Sequence, residues 1–426
     1  MTLKRPRSAW DWHVPVIGAL GLLLYTSNRR RKKTDFDVSG EGDIESMLPT
    51  FVGLTEGSID RGNRVEVIQN GAFFDRLIQD VSAAEGSIHI ESFIWWTGEV
   101  CQRLGGALAA AARRGVEVRL MVDYSGSRTM DRGLLAGMKE AGCDVRKFRP
   151  PRISNMGRMN LRTHRKIAVI DGRIGYVGGH GIAEEWSGNA EDRDHWRDIA
   201  VRAEGPVVTT LQGVFCENWI EETGEVPTGE TYFPELEPVG PTDAHVAFAS
   251  PRGSISAVQL LYYLAINASR RELIIQNPFF LPHADAIEAL KKAVRRGVDV
   301  RIMLPAVEAV GAQQAFVEHA SHHHFGDLLG NGVRIFEYQR SLLHQKVMIV
   351  DGSWSCVGST NFDDRSFELN DELTVGFVGA DVASRLKQSY DDDCKDCQEV
   401  SFDQWRRRPW KHRLLDGAAF AARWEL

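Results

Sequence analysis

With 426 residues, 43% hydrophobic and 26% charged, the chain has the length for two domains with buried cores and shows no compositional sign of global disorder. A formal net charge of -7 excludes whole-molecule attraction to a polyanion, so any affinity for phosphate has to come from local clusters of cations. The six cysteines are scattered and demand no oxidising compartment; Cys394 and Cys397 alone form a C-x-x-C, which reads as part of an acidic helix without chemistry of its own.

At the N-terminus, Lys4, Arg5 and Arg7 precede an apolar run from Val14 to Tyr25, which ends at the basic stretch Arg29 to Lys33. As a helix this run spans roughly 18 Å, short of the ~30 Å hydrocarbon core of a bilayer. No small-x-small cleavage site follows it, and Trp10, Trp12 and Tyr25 flank it as interfacial aromatics do. Residues 1–40 are therefore expected to form an uncleaved membrane anchor, either short-spanning or interfacial, with its cations at the anionic cytoplasmic leaflet.

The remainder repeats itself. AARRGVEVRLM (111–121) matches AVRRGVDVRIM (293–303) at an offset of 182, and HRKIAVIDGRIGYVGG (164–179) matches HQKVMIVDGSWSCVGS (344–359) at an offset of 180. Between these anchors SIHIESFIW, GCDVRKF and DIAVRAEG of the first half recur in order as ELIIQNPFF, GVRIFEY and ELTVGFVG of the second. Most are apolar runs of strand length, separated by helical stretches such as EVCQRLGGALAAAARRG and ADAIEALKKAVRRG that end at glycine. The expected fold is α/β: two homologous α/β/α sandwich domains, residues 60–223 and 246–426, packed as a pseudo-dimer around one shared cleft. Residues 224–245, rich in proline, glycine and acidic side chains, read as the linker.

Histidine and lysine stand two residues apart in both copies of the repeated motif, so strand geometry projects His164 with Lys166 and His344 with Lys346. Pseudo-two-fold symmetry brings all four to one cleft. There one imidazole can attack phosphorus, the other can protonate the leaving alkoxide, and two ammonium groups can neutralise the non-bridging oxygens, with no metal or cofactor required. A nucleophilic histidine needs an acceptor on its second nitrogen, and Asp198 and Glu372, at equivalent places in the DIAV and ELTV strands, are the candidates. Asp171 and Asp351 open Asp-Gly turns, which gives them a structural role rather than an acid–base one.

The pattern H-x-K-x4-D followed six residues later by G-[GS]-x-N, complete in HQKVMIVDGSWSCVGSTN (344–361), resembles the phospholipase D superfamily. The resemblance extends over most of the chain and is closest to the bacterial cardiolipin synthase type, through NLRTHRKIAVIDG, WRDIAVRAEGPVV, NPFFLP, RSFELNDEL and RRRPW. It implies His164, Lys166, Asp171, His344, Lys346 and Asp351 as the catalytic motif, with His164 as nucleophile, His344 as general acid and base, and both lysines on phosphate. It further implies Asn361, Ser359 and Gly179 as phosphate-binding positions, and a covalent phosphohistidine. The implied reaction moves a phosphatidyl group from one phosphatidylglycerol to a second and releases glycerol; hydrolysis to phosphatidic acid is the alternative, and behind it stand a nuclease and a non-catalytic lipid-binding scaffold. The implied partners are an anionic phospholipid and a membrane surface, not nucleic acid, and the implied location is a bacterial inner membrane with the catalytic domains cytoplasmic. The first copy departs from the pattern, since VGGHG places Gly181 where the family carries asparagine; His180 beside it is a candidate substitute.

Two further segments fit a lipid substrate. Arg146 to Lys166 holds eight basic residues and no acidic one, a loop suited to drawing in anionic headgroups. WRRRPWKHRLL near the C-terminus reads equally as a helix resting on a membrane and as one packed on its own domain. The run His322, His323 and His324 falls on a predicted helix, where consecutive residues diverge, and is not expected to bind metal.

Overall fold

The computed structural model describes residues 36–40, 42–151, 160–251 and 255–421; the expected anchor lies almost wholly outside them. The first half contributes strands β1 (Ile59–Gln69), β2 (Ser87–Ser92), β3 (Glu117–Asp123), β4 (Asp144–Phe148), β5 (Arg162–Thr163), β6 (Lys166–Ile170), β7 (Ile174–Gly178) and β8 (Ile199–Glu204). The second contributes β9 (Thr242–Ala249), β10 (Glu272–Gln276), β11 (Phe280–Leu281), β12 (Asp299–Pro305), β13 (Arg334–Tyr338), β14 (Val347–Val350), β15 (Trp354–Gly358), β16 (Phe362–Asp363), β17 (Asn370–Val378) and β18 (Cys397–Glu399).

The strands run β18-β13-β12-β10-β14-β15-β17-β9-β1-β8-β7-β6-β2-β3-β4 across one sheet. The order is a palindrome about the antiparallel β9–β1 pair, apart from the extra edge strand β18. The two α/β halves are thus joined edge to edge into a continuous mixed sheet, parallel through β2–β3–β4 and β10–β12–β13 and antiparallel elsewhere along this path. Each half alone would leave a central strand edge open, and pairing β1 with β9 closes both.

Helices cover both faces. On one face of the first half, Ala72–Ala83, Glu99–Arg113 and Arg132–Glu140 bury Phe74, Leu77, Val81, Leu104, Leu108 and Met138 against Ile88, Ile90, Val118 and Leu120 of the sheet. On the other face, helices Val207–Thr223 and Ala380–Asp393 follow β8 and β17 and share one core that spans the junction. Helices Glu99–Arg113 and Ala284–Arg295 both end in Arg-Arg-Gly, whose glycines, Gly115 and Gly297, take φ of 95° and 90° and stop the helix in the left-handed region.

The residues between the halves are not a loose linker. Strand β9 begins at Thr242, inside the segment expected to be linker, and the preceding residues strap onto the first half. Arg119 lies 4.8 Å over the Tyr232 ring, and Phe233 packs with Met121, Phe148, Phe215 and Trp219.

Asp171 and Asp351 close equivalent hairpins. Each has φ of 53° and is followed by a left-handed glycine, so that two successive positive-φ residues turn the chain within a three-residue connection. The Asp171 carboxylate accepts from the backbone N–H of Glu85, Gly86 and Ser87, and that of Asp351 from Arg270, Arg271 and Glu272. Both therefore fasten the start of a neighbouring strand. Asp351→Ala should lower the unfolding free energy by about 2–3 kcal/mol in urea titration, because three backbone donors lose a charged acceptor.

Candidate active site

The motif histidines do not lie on the strands that follow them. Strand β6 begins only at Lys166 and β14 at Val347, because the residues before each leave their own sheet to pair with the opposite half. Strand β5 joins β17 in parallel, and the His164 N–H donates to Asp371 O at 2.9 Å. Symmetrically, Leu343 bridges Arg197, and the His344 N–H donates to Arg197 O at 2.7 Å. Each histidine is thereby pinned one residue from the other half's carboxylate. His164 Nδ1 lies 2.9 Å from Glu372 Oε1, and His344 Nδ1 lies 2.8 Å from Asp198 Oδ2. Sequence alone leaves this pairing open; the structure crosses it. With Nδ1–H donated to a carboxylate, Nε2 of each ring keeps its lone pair.

The lysines fold back on the same histidines. Lys166 Nζ donates to His164 O at 2.8 Å, and Lys346 Nζ sits 3.1 and 3.2 Å from the two ring nitrogens of His344. Burial pushes His164 down to about 4, against the opposing pull of Glu372, and His344 down to about 3, with Lys346 adding to the effect and Asp198 opposing it. Burial likewise lowers Lys166 to about 8 and Lys346 to about 7. Each lysine also acts on the histidine of the other half, so the four groups form a single electrostatic unit. Burial works to raise Asp198, but His180, His344 and Lys346 together hold it below its ordinary value; His164 and Lys166 do the same for Glu372.

At neutral pH both imidazoles are therefore uncharged. Because their pKa values are depressed on folding, the unfolded chain binds more protons than the folded one as pH falls from about 6.5 toward 3–4, and stability falls with it. Removing the Lys346 charge should raise the His344 pKa. In Lys346→Met, the His344 imidazole resonance followed by NMR should titrate at a higher pH than in the parent protein; an unmoved titration would show that the ammonium does not act on this ring.

The carboxylates are held differently in the two halves. Glu372 accepts from the Ser359 hydroxyl at 2.5 Å on Oε2 and from Asn370 Nδ2 at 3.3 Å on Oε1. Asp198 accepts from the Trp186 indole N–H at 2.7 Å and from its own following amide at 2.8 Å. At Gly179, the counterpart of Ser359, a Cβ would fall 2.3 Å from Asp198 Oδ1, so the shorter acid comes with glycine and an indole donor where the longer one comes with serine. The edges of aromatic rings complete the walls: Phe93 meets His164 at 5.0 Å between centroids, and Trp186 meets His344 at 5.0 Å.

Gly181 is explained by the same tryptophan. A Cβ there would lie 2.8 Å from the Trp186 ring and 3.1 Å from Ile94. Gly181→Asn should therefore fail to restore the pattern of the second copy: by displacing Trp186 from Asp198 it should lower thermal stability by about 1–3 kcal/mol and reduce turnover. Turnover above that of the parent would contradict this. His180 has turned away from the Gly181 position, stacked on Phe73 at 4.4 Å with Nε2 bonded to Asn70 O at 3.0 Å.

Of the three positions expected to bind phosphate, Asn361 is nearly buried and its amide Oδ1, an acceptor, has no partner, so only its Nδ2 is of the right kind to meet a phosphate oxygen. Ser359 and Gly179 stand behind the carboxylates instead, the serine with its hydroxyl committed to Glu372. Asp171 and Asp351 lie at the far ends of β6 and β14. Within the basic segment Arg146 pairs with Asp144, Arg149 with Glu221 and Asp371, and buried Arg165 with Glu217, while residues 152–159 lie outside the described residues. Cys394 and Cys397 are free, half-buried, and raised by burial, which disfavours the thiolate; Cys394 opens the short 3-10 helix that continues helix Ala380–Asp393, and Cys397 begins β18. Trp186, Phe93 and Asn370 were not found from sequence. No counterpart in the other half of the repeat marks Trp186 or Phe93, and Asn370 lies just outside the matched segment.

Comparison with known proteins agrees with this arrangement. Residues 77–202 and 262–394 match the family model described as cardiolipin synthase, PLD-like domain. The chain is 30% identical to the cardiolipin synthase of Geobacillus kaustophilus over 431 residues, covering 95% of this chain and 85% of that one. It is 28% identical to the major cardiolipin synthase ClsA of Bacillus subtilis over 456 residues, covering 98% and 93%. Among solved structures, phosphatidylserine synthase of Haemophilus influenzae superposes with a TM-score of 0.65 at 12% identity, over 88% of this chain and 97% of that one, a likeness of fold.

Proposed function

Because the chain belongs to the cardiolipin synthase, PLD-like domain family, we propose that it is a phosphatidyltransferase that makes cardiolipin from two molecules of phosphatidylglycerol and releases glycerol. The observation that carries the reading is the crossed pair: two neutral imidazoles, each oriented by the other half's carboxylate, with two lysines beside them.

In the first step His164 Nε2 attacks phosphorus, the P–O bond to the glycerol headgroup breaks, and His344 delivers the proton that the departing oxygen needs. A phosphodiester anion entering the cleft offsets the burial that depresses His344, which is how that ring comes to hold a proton in the complex. Lys166 and Lys346 supply positive charge to the non-bridging oxygens as negative charge grows there, and Asn361 adds a donor through its amide Nδ2. In the second step His344 takes the proton from a headgroup hydroxyl of the second phosphatidylglycerol; that oxygen attacks phosphorus, and the P–N bond breaks. Asp171 and Asp351 serve the fold of the motif rather than the chemistry.

The substrate places the protein at a membrane, which we assign to a bacterial inner membrane with the catalytic halves on the cytoplasmic side. Among the described residues no helix is long and apolar enough to cross a bilayer. Incubating the purified protein with phosphatidylglycerol in mixed micelles should yield cardiolipin and glycerol in equal amounts; phosphatidic acid alone would replace transfer by hydrolysis.

A further inference from the structure

Helix Trp410–Ala421, the last described element, has two faces of different character. On the inner face Asp416, 2% exposed, accepts from Arg408 Nη2 at 2.8 Å and from His319 Nδ1 at 2.9 Å. On that face too Phe420 stacks on His323 at 3.8 Å between centroids, and Ala419 is fully buried. These contacts tie the helix to the neighbouring helix Ala312–Ser321 and to the turn His322–His324. The histidine run is thus part of a fastening for the C-terminal helix.

At about 100° per residue, Trp410, Leu414 and Leu415 point the opposite way. They are 66%, 63% and 45% exposed, and the first two are the most exposed large apolar side chains among the described residues. A single exposed apolar residue is ordinary, but three on the outer face of one pinned helix make a patch. Around it stand exposed Arg406, Arg407, Lys411 and Arg413, and between Gln404 and Leu415 there is no acidic residue in a chain of net charge -7.

The helix is linked to the motif of the second half through a separate two-stranded sheet. Helix Ala312–Ser321 follows β12 and packs on β11; β11 pairs with β16, and β16 directly follows Asn361. An occupant has to be apolar and anionic. A second copy presents the same cations, so a symmetric contact would set like charge against like. An anionic phospholipid surface meets both requirements, with tryptophan at headgroup depth, leucines at the acyl boundary and cations among the phosphates.

We infer that the outward face of helix Trp410–Ala421 docks on an anionic bilayer, on the part of the second half that carries the β11–β16 pair beside Asn361. The inference rests on the lipid-substrate reading for its purpose, and its test separates the two. Full-length protein and the variant Leu414→Asp/Leu415→Asp are compared by local hydrogen exchange with phosphatidylglycerol vesicles and phosphatidylcholine vesicles, and by turnover of vesicular and of monomeric short-chain phosphatidylglycerol. Phosphatidylglycerol vesicles alone should slow exchange across residues 405–416, and the variant should lose that protection. Its turnover on vesicles should fall roughly tenfold or more while turnover of the monomeric substrate stays within about twofold, as removal of two buried leucines from an interface predicts.

Vesicle binding without protection of this helix would overturn the inference, since another part of the chain would then hold the membrane. Equal loss on both substrate forms would overturn it too, by making the face structural, and so would protection by concentrated protein without lipid, by giving the face to a second copy. Protection by vesicles with no turnover of phosphatidylglycerol in either form would leave the docking face standing and defeat the transfer reading.

Discussion

His164→Ala should lower turnover by on the order of 10⁴ or more, and His344→Ala by on the order of 10³–10⁴, with the fold of both intact by circular dichroism. The two losses differ in kind. In the proposed roles His164 supplies the atom that bonds to phosphorus, while His344, whose Nε2 also carries a lone pair, handles the proton. His344 supplies a proton to the leaving oxygen, and that need disappears when the leaving group is acidic enough to depart as an anion. A nitrophenyl ester of a phosphatidyl group should therefore restore the first step in His344→Ala, seen as a burst of nitrophenolate, and restore nothing in His164→Ala. The reverse pattern would exchange the two roles.

The crossed carboxylates carry the second large effect. Glu372→Gln and Asp198→Asn keep the size of the side chain but offer an N–H where a histidine Nδ1–H now donates, so each favours the tautomer with its lone pair on the wrong nitrogen. Losses on the order of 10²–10⁴ in kcat are expected, comparable to the removal of a triad aspartate in serine proteases. The crossing makes a sharper prediction than the size. Glu372→Gln should add little to His164→Ala, and Asp198→Asn little to His344→Ala, because residues acting as one unit are not additive. The nitrophenyl ester should rescue Asp198→Asn and not Glu372→Gln. Rescue of Glu372→Gln instead would mean that each carboxylate serves the histidine of its own half.

What sequence could and could not reveal divides along physical lines. The doubled H-x-K pattern exposed all four cleft side chains, because a two-residue period on extended chain is visible in one dimension. The Asp-Gly steps disclosed two turns for the same reason, each being a local rule about positive φ. The crossing was not visible: it depends on Arg162–Thr163 leaving its own ladder to pair with Asn370–Asp371, a tertiary exchange with no periodic trace. Strands β1 and β9 were missed as a repeat pair because IDRGNRVEVIQ and TDAHVAFA no longer resemble each other, although they hold equivalent places in the sheet. The basic run from Arg146 to Lys166 was legible as charge alone. Sequence shows cations but not their partners, and Glu217 and Glu221, one turn apart on helix Val207–Thr223, take up Arg165 and Arg149. Ser359 looked like a phosphate contact because it stands in a glycine loop beside Asn361, whereas its hydroxyl points to the carboxylate behind it.

The central claim, transfer through a histidine built into a site shared by two halves, is tested most directly by trapping the intermediate. Protein mixed with phosphatidylglycerol, quenched at alkaline pH where a phosphoramidate survives, and digested for mass spectrometry should carry a phosphatidyl adduct on His164. The adduct should vanish when a second phosphatidylglycerol is allowed to react and cardiolipin appears. Cardiolipin formed with no adduct at any time of quenching, or an adduct confined to His344, would contradict the account.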